Sequence, residues 1–192
     1  MKKKHIITIT GSLGSGKSST SKKLAELLKY KHASTGDFMR SMAEKRGLTL
    51  NDLNKIGESD PSIDIEIDDY SREIGKEENV VMDSRLGFHF IPKSFKVFLK
   101  LDPNIAANRI LEDAKVNPNR HKESRQGFST IEDIVSSINT RLKSETKRYK
   151  ELYKINNYMM PENFDLVIDT SEITLEQVSE QIITKYKVWL DN

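Results

Sequence analysis

The chain has 192 residues, enough for one domain with a full hydrophobic core. Its 31 basic and 29 acidic residues leave a formal net charge of +2, which gives no basis for a nucleic-acid-binding surface. The absence of cysteine excludes disulfides and thiolate metal sites, and no apolar run is long enough to span a membrane, so a cytoplasmic protein is expected.

Lys2-Lys3-Lys4 reads as a solvated tail, and the apolar run behind it is too short for a signal peptide. That run, Ile6-Ile7-Thr8-Ile9-Thr10, is β-branched and reads as a buried strand. Gly11-Ser12-Leu13-Gly14-Ser15-Gly16-Lys17-Ser18 follows and fits the phosphate-loop pattern G-x-x-x-x-G-K-[ST]. A helix with Leu24, Ala25, Leu27 and Leu28 on one side is expected next, completing strand, glycine-rich turn and helix. Such a loop brings backbone amides and a helix N-terminus to a nucleotide's phosphates. Gly11, Gly14, Ser15, Gly16, Lys17, Ser18 and Ser19 are therefore the candidate ATP- or GTP-binding residues. Lys17 would reach the β- and γ-phosphates, and Ser18 would offer its hydroxyl to Mg²⁺.

Lys31-His32-Ala33-Ser34 is a candidate short strand, with Thr35-Gly36-Asp37 as turn and cap of a helix over 38–45 that stops at Gly47. Thr49 or Asn51 starts a short helix carrying Leu50, Leu53 and Ile56. Asp60-Pro61 starts another, with Asp60 as cap and Ile63, Ile67, Tyr70 and Ile74 at helical spacing. These short helices are expected to form an inserted subdomain over 36–78. Val80-Val81-Met82-Asp83 is a buried strand ending in an acid, with Ser84-Arg85-Leu86-Gly87 as its turn. A further strand is expected over 96–101, then a helix from Asp102-Pro103 with Ile105, Ala106, Arg109, Ile110 and Leu111. From 113 to 129 the chain is polar and basic, which predicts a loop or lid with Arg120 and Arg125 as its candidate arginines.

The spacing predicts a long helix over 130–153, capped by Ser129 or Thr130, with Ile131, Ile134, Ile138, Leu142, Tyr149 and Leu152 as its stripe. A last strand over 164–169 and a helix from Thr174, striped by Leu175, Val178, Ile182, Ile183 and Tyr186, close the chain. Strands alternating with helices imply an α/β fold, a parallel sheet with helices on both faces and its ligands at the carboxyl ends of the strands. Asp83 and Arg85 then join the phosphate loop at that edge, Asp83 as an acid that organises a metal and Arg85 as a fork for a phosphate or base edge. Arg40 lies off the apolar face of its helix, which allows either a surface or a binding role.

Glu145 falls on the apolar stripe of the long helix, with Arg141 and Arg148 on the same face. One reading is a structural ion pair. The other is a pair of arginines aimed at anionic groups and oriented by a buried acid, as phosphoryl transfer requires.

Taken together these residues resemble the nucleoside monophosphate kinases, and most of all the archaeal-type cytidylate kinases. The likeness rests on the phosphate loop, Thr35-Gly36-Asp37 with Arg40, Asp60-Pro61-Ser62-Ile63-Asp64 and the strand ending Asp83-Ser84-Arg85. It continues through Arg141-Leu142-Lys143-Ser144-Glu145-Thr146-Lys147-Arg148-Tyr149-Lys150-Glu151-Leu152-Tyr153 and Val167-Ile168-Asp169-Thr170-Ser171. The resemblance implies a P-loop kinase fold with a five-stranded parallel sheet, an acceptor-binding helical subdomain and a lid. It also implies transfer of the ATP γ-phosphoryl group to CMP, and to dCMP, with Mg²⁺. A monomer is expected. It assigns Lys17 and Ser18 to the donor phosphates and metal, with Asp83 beside them. It assigns Arg40, Arg85, Arg141 and Arg148 to phosphates or acceptor, with Asp37 and Glu145 in the same site and Arg125 on a lid longer than the family's. Asp64, and after it Asp68, is the candidate reader of the cytosine amino group, with an exposed Asp68–Arg72 pair as the alternative. The other activities considered are a kinase for AMP or dTMP, and a switch module that hydrolyses ATP slowly.

Overall fold

The computed structural model describes residues 3–116 and 130–192, with the backbone alone at 113–116. Five strands form one parallel sheet in the order β2-β3-β1-β4-β5, where β1 is Ile6–Gly11, β2 Lys31–Ser34, β3 Val80–Asp83, β4 Phe95–Lys100 and β5 Leu166–Asp169. The alternation of side chains along these strands makes two cores. Ile7, Ile9, Val81, Phe95, Val97 and Leu99 pack with Leu24 of α1 (Lys17–Leu28) and with Val178, Ile182 and Tyr186 of α8 (Leu175–Asp191). On the other face Ile6, Ala33, Val80 and Met82 meet Ile74 of α4 (Ser62–Ile74) and Ile91. The central strand β1 is buried at every position, as a parallel strand covered on both faces must be.

Between β2 and β3 run α2 (Thr35–Lys45), α3 (Leu50–Gly57) and α4, packed on their own cluster of Met42, Ala43, Leu53 and Ile63. Thr49 caps α3 through a reciprocal pair with Asp52. Asp60 and Pro61 mark the start of α4 one place off expectation: the helix begins at Ser62, Pro61 takes the cap position with helical dihedrals, and Asp60 Oδ1 accepts from the Ser62 amide at 2.9 Å. The start of α2 differs from expectation. Ser34, still extended at the end of β2, accepts from the Asp37 amide and caps a helix that already begins at Thr35. A one-turn helix α5 (Gly87–Phe90) follows β3 where only a turn was expected.

Helices α6 (Pro103–Val116) and α7 (Ile131–Tyr153) flank the segment expected to be a lid. Residues 113–116 continue α6, and the rest of that lid, with Arg120 and Arg125, lies outside the described residues. Thr130 caps α7 with Asp133 in a reciprocal pair. The α7 stripe is narrower than expected, because Ile131 and Leu152 are exposed and Tyr153 joins the apolar cluster in their stead. Leu27 of α1 is likewise exposed. Of the expected solvated tail, Lys2 lies outside the described residues and the other two lysines are engaged: Lys3 Nζ donates to the Trp189 carbonyl and lies over its ring, and Lys4 Nζ donates to the Gly75 carbonyl at 2.6 Å. Among the described residues no helix is long and apolar enough to cross a membrane.

Candidate active site

Strand β1 delivers the chain into the phosphate loop at the carboxyl edge of the sheet. The loop is possible only with glycine at its tightest points. A Cβ on Gly11 would stand 2.6 Å from the Leu99 carbonyl oxygen. Gly14 has φ +75°, and its Cβ would press on Ala106 of α6 at 3.0–3.2 Å. Ser15 is buried, its backbone carbonyl accepting from Thr170 Oγ1 at 3.3 Å, while Gly16 and Ser19 stay exposed at the start of α1. Lys17 Nζ folds back and donates to the Gly11 and Ser12 carbonyls, each at 2.9 Å. Withdrawal from solvent, and then the nearby Arg85, push the Lys17 ammonium down to about 8. An anionic ligand in the loop would remove that penalty.

Ser18 Oγ donates to Asp83 Oδ2 at 2.6 Å. The pairing brings together the two residues expected at a metal, one from the first turn of α1 and one from the end of β3. A hydroxyl and a carboxylate are hard oxygen donors of the kind Mg²⁺ takes alongside phosphates and water. Among the described residues no three His, Cys, Asp or Glu side chains are grouped so as to hold a metal ion.

After β3 the chain turns, fixed by Thr10 Oγ1 donating to the Ser84 carbonyl at 3.0 Å. The turn sends Arg85 toward α7, where Arg85 Nε meets Glu145 Oε2 at 2.7 Å. Arg141 Nε meets the other oxygen, Oε1, at 2.9 Å. Tyr158, from the loop after α7, donates its hydroxyl to Oε2 at 3.3 Å. Burial alone would raise the Glu145 carboxyl, but Arg85 and Arg141 outweigh it and hold the group below the usual carboxylate range. Glu145 thus stays ionised and fixes two guanidinium groups beside the loop lysine.

The expected trio Arg141–Glu145–Arg148 needs correcting here. Arg85 is the second arginine on Glu145, and Arg148 turns to α4, where Nη1 lies 3.4 Å from Asp64 Oδ2. It can do so because Gly57 of α3 has no side chain: a Cβ there would stand 2.9 Å from Arg148 Nη1. The contact is looser than the Glu145 pairs, and both Asp64 Oδ2 and Arg148 Nε lack a hydrogen bond. Burial raises the Asp64 carboxyl against the pull of Arg148.

Asp68 is 5% exposed and accepts from the Tyr153 hydroxyl at 2.7 Å. The exposed pair considered for it does not form, since Arg72 binds Asp69 at 3.0 Å instead. Burial pushes the Asp68 carboxyl up to about 6. Asp64, Asp68, Arg85, Arg141, Glu145 and Arg148 line a single cleft of about 560 Å³, open water included, with Asn54, Phe90 and Tyr153 among its other walls. Asp37 and Arg40 are not part of that lining; they pair with each other at 2.6 Å on the exposed side of α2.

Sequence reasoning missed Tyr158, Asn54 and Phe90, and it gave Tyr153 no role. It named Arg109 only as part of its helix; Arg109 Nη2 donates to the Thr170 and Ser171 carbonyls at 2.8 and 3.1 Å and ties α6 to the turn after β5.

The strand order, with a phosphate loop leaving the central strand beside an arginine-lined cleft, makes the chain a phosphotransferase of the P-loop kinase class. Comparison with known proteins narrows the class. The model of the cytidylate kinase-like family matches residues 6–172, and the chain belongs to that family of ATP-dependent phosphotransferases. A cytidylate kinase of Methanopyrus kandleri is 35% identical over 170 residues, covering 86% of this chain and 84% of that protein. An S-adenosylmethionine-dependent nucleotide dehydratase of Lacinutrix mariniflava is 34% identical over 183 residues, covering 94% of this chain but 36% of its own length, so this chain spans about a third of that relative. In fold the chain matches the shikimate kinase of Bacteroides thetaiotaomicron with a TM-score of 0.64 at 16% identity, over 97% of this chain and 98% of that one.

Proposed function

We propose that the protein transfers the γ-phosphoryl group of MgATP to CMP, and to dCMP, giving ADP and the cytidine diphosphate. The observation that carries this reading is Glu145, one buried carboxylate holding Arg85 and Arg141 on the cleft wall. Two fixed guanidinium groups suit the phosphate of an acceptor and the charge of a moving phosphoryl group, which needs positioning and positive charge more than a base.

In this reading the loop amides and Lys17 hold the donor phosphates, Lys17 leaving the Gly11 and Ser12 carbonyls to do so. Ser18 and Asp83 would be the protein oxygens that hold Mg²⁺, which when bound would supply positive charge to the donor phosphates. An oxygen of the acceptor phosphate attacks the γ-phosphorus in line as its bond to the bridging oxygen of ADP breaks. Helices α2, α3 and α4 form the acceptor-binding subdomain. Asp64 and Asp68 face the base, where a carboxylate accepts from the cytosine amino group and repels the uracil carbonyl. Relatives named cytidylate kinase, from M. kandleri and from Pyrococcus furiosus at 34% identity, support CMP as acceptor. The dehydratase name belongs to a protein of which this chain matches 36% of the length.

The test is an acceptor panel of CMP, dCMP, UMP, AMP and dTMP, with ADP release followed at saturating ATP. CMP is expected to give the highest kcat/KM. Preference for AMP or dTMP overturns the acceptor, and ATP hydrolysis that ignores every monophosphate overturns the kinase reading.

A further inference from the structure

The Tyr153 hydroxyl crosses from the last turn of α7 to donate to Asp68 Oδ2 of α4 at 2.7 Å. The ring is itself held in place, edge-on to Phe90 at 5.5 Å and tilted against Tyr149 at 6.1 Å. Asp68 is therefore anchored by one oxygen only. Its Oδ1 has no hydrogen bond among the described residues and is not sealed from the cleft that Asp68 and Tyr153 both line. Arg72, one helical turn further on, is committed to Asp69. A carboxylate oxygen open to the cleft and without a donor from the described residues is placed to accept from a ligand there.

We propose that Tyr153 is the specificity-positioning residue of the acceptor site, fixing Asp68 so that Oδ1 accepts the exocyclic amino hydrogen of an aminopyrimidine. The inference rests on the reading of CMP as acceptor and goes beyond it in naming which carboxylate reads the base and what aims it. With Oδ2 occupied by the Tyr153 hydroxyl, the carboxyl group does not rotate freely. Its cleft-facing oxygen carries lone pairs only, so an amino group is accepted and a carbonyl at the same ring position is repelled.

The ionic state of Asp68 belongs to the same device. Burial pushes its carboxyl up, and the Tyr153 hydrogen bond is the leading influence holding it down. Of the other groups facing it, Arg72 lowers it further while Asp64 and Asp69 raise it. Helices α2 and α3 give the cleft uncharged Thr35, Met39 and Asn54. His89 of α5 meets the Tyr153 ring at 5.9 Å. Arg148 and Arg85 are engaged by Asp64 and Glu145. Loss of the tyrosine hydroxyl would favour a protonated Asp68, which offers a hydrogen to a carbonyl. Selection would then weaken at both bases at once.

The experiment is Tyr153→Phe, which keeps the ring and removes the donor. kcat and KM are measured for CMP and UMP across pH at saturating ATP. The CMP-over-UMP ratio of kcat/KM is expected to fall about 10-fold, the scale of one positioned hydrogen bond. The loss should appear mainly in KM for CMP, with KM for ATP unchanged. The acid limb of the CMP profile should move to higher pH. Asp68→Asn should lose at least as much selectivity, and the double variant no more than Asp68→Asn alone, a non-additivity that a merely structural tyrosine would not give. A wild-type preference for CMP that survives Tyr153→Phe with an unmoved pH profile overturns this inference and leaves the CMP reading intact. A wild-type enzyme indifferent to the amino group removes the reading, and this inference with it.

Discussion

Replacing Glu145 by glutamine tests whether the cleft wall is built to receive an anion. The carboxylate takes Arg85 at 2.7 Å and Arg141 at 2.9 Å, one on each oxygen. Glutamine keeps the shape and one acceptor oxygen, but it turns an amine toward one guanidinium and leaves two like charges facing each other. Breaking a buried pair by removing one partner costs roughly 3–5 kcal/mol. Here the lower end applies, because the Arg141 side chain is 40% exposed and Arg85 20%, so water replaces part of what is lost. At about 2–4 °C per kcal/mol for a chain of this size, a loss of ~3 kcal/mol lowers Tm by roughly 6–12 °C. Addition of CMP or inorganic phosphate supplies the missing negative charge, so the anion-induced rise in Tm should be larger in Glu145→Gln than in wild type. Differential scanning fluorimetry with and without CMP measures both quantities. A variant that melts like wild type, or one that melts low and gains no more from CMP than wild type does, refutes the argument.

Three further substitutions probe the other parts of the cleft. Lys17→Ala is expected to lower kcat by about 10²–10³ with Tm changed by only a few degrees, since it removes one preorganised cation from the loop; steady-state kinetics and a melt decide it. Gly57→Ala places a methyl 2.9 Å from Arg148 Nη1, and the flexible end of that arginine gives way; KM for the acceptor should rise with KM for ATP unchanged, and equal effects on both substrates would deny Arg148 a place on the acceptor side. Asp83→Asn keeps an oxygen for Ser18 Oγ but removes the charge, and should raise the half-saturating Mg²⁺ concentration on the order of 10–100-fold, the loss seen when groups supporting a metal are altered, as read from a Mg²⁺ titration of activity.

What was legible in the sequence is what a single element records about itself. The phosphate loop could be read because its glycines, lysine and serine are neighbours in the chain and the strand and helix flank them directly. Glu145 could be singled out because a charge interrupts an apolar stripe of one helix. Its partner could not be read, since helical spacing shows which residues share a face and not what stands opposite. Arg148 satisfies the spacing rule as well as Arg141 does, yet the gap at Gly57 and the carboxylate of Asp64, both on other helices, draw it away. The same limit explains Asp68: its spacing to Arg72 suits a surface pair, while burial of α4 against Tyr153 decides otherwise. Helix α2 was read as starting late because its cap, Ser34, is also the last residue of a strand. Helix α5 is one turn long and has no period to detect.

The two carboxylate–arginine contacts on α7 differ in a way that divides their work. Glu145 has both oxygens engaged, by Arg85, Arg141 and Tyr158, and its charge is held ionised by the arginines around it. Such a cluster is held through both carboxylate oxygens, which suits preorganised stabilisation of a moving charge. Asp64 and Arg148 sit 3.4 Å apart without a hydrogen bond, and burial works against the ionised Asp64. A contact that incomplete is readily exchanged, and in the proposed reading an acceptor phosphate would offer Arg148 the oxygens it lacks. Glu145 of α7 therefore holds a pair of arginines, its own Arg141 and Arg85 from the turn after β3, while Arg148 of the same helix turns to Asp64 of α4. In the proposed reading, transfer of Arg148 from Asp64 to an acceptor phosphate would couple acceptor binding to α4, which carries Asp64.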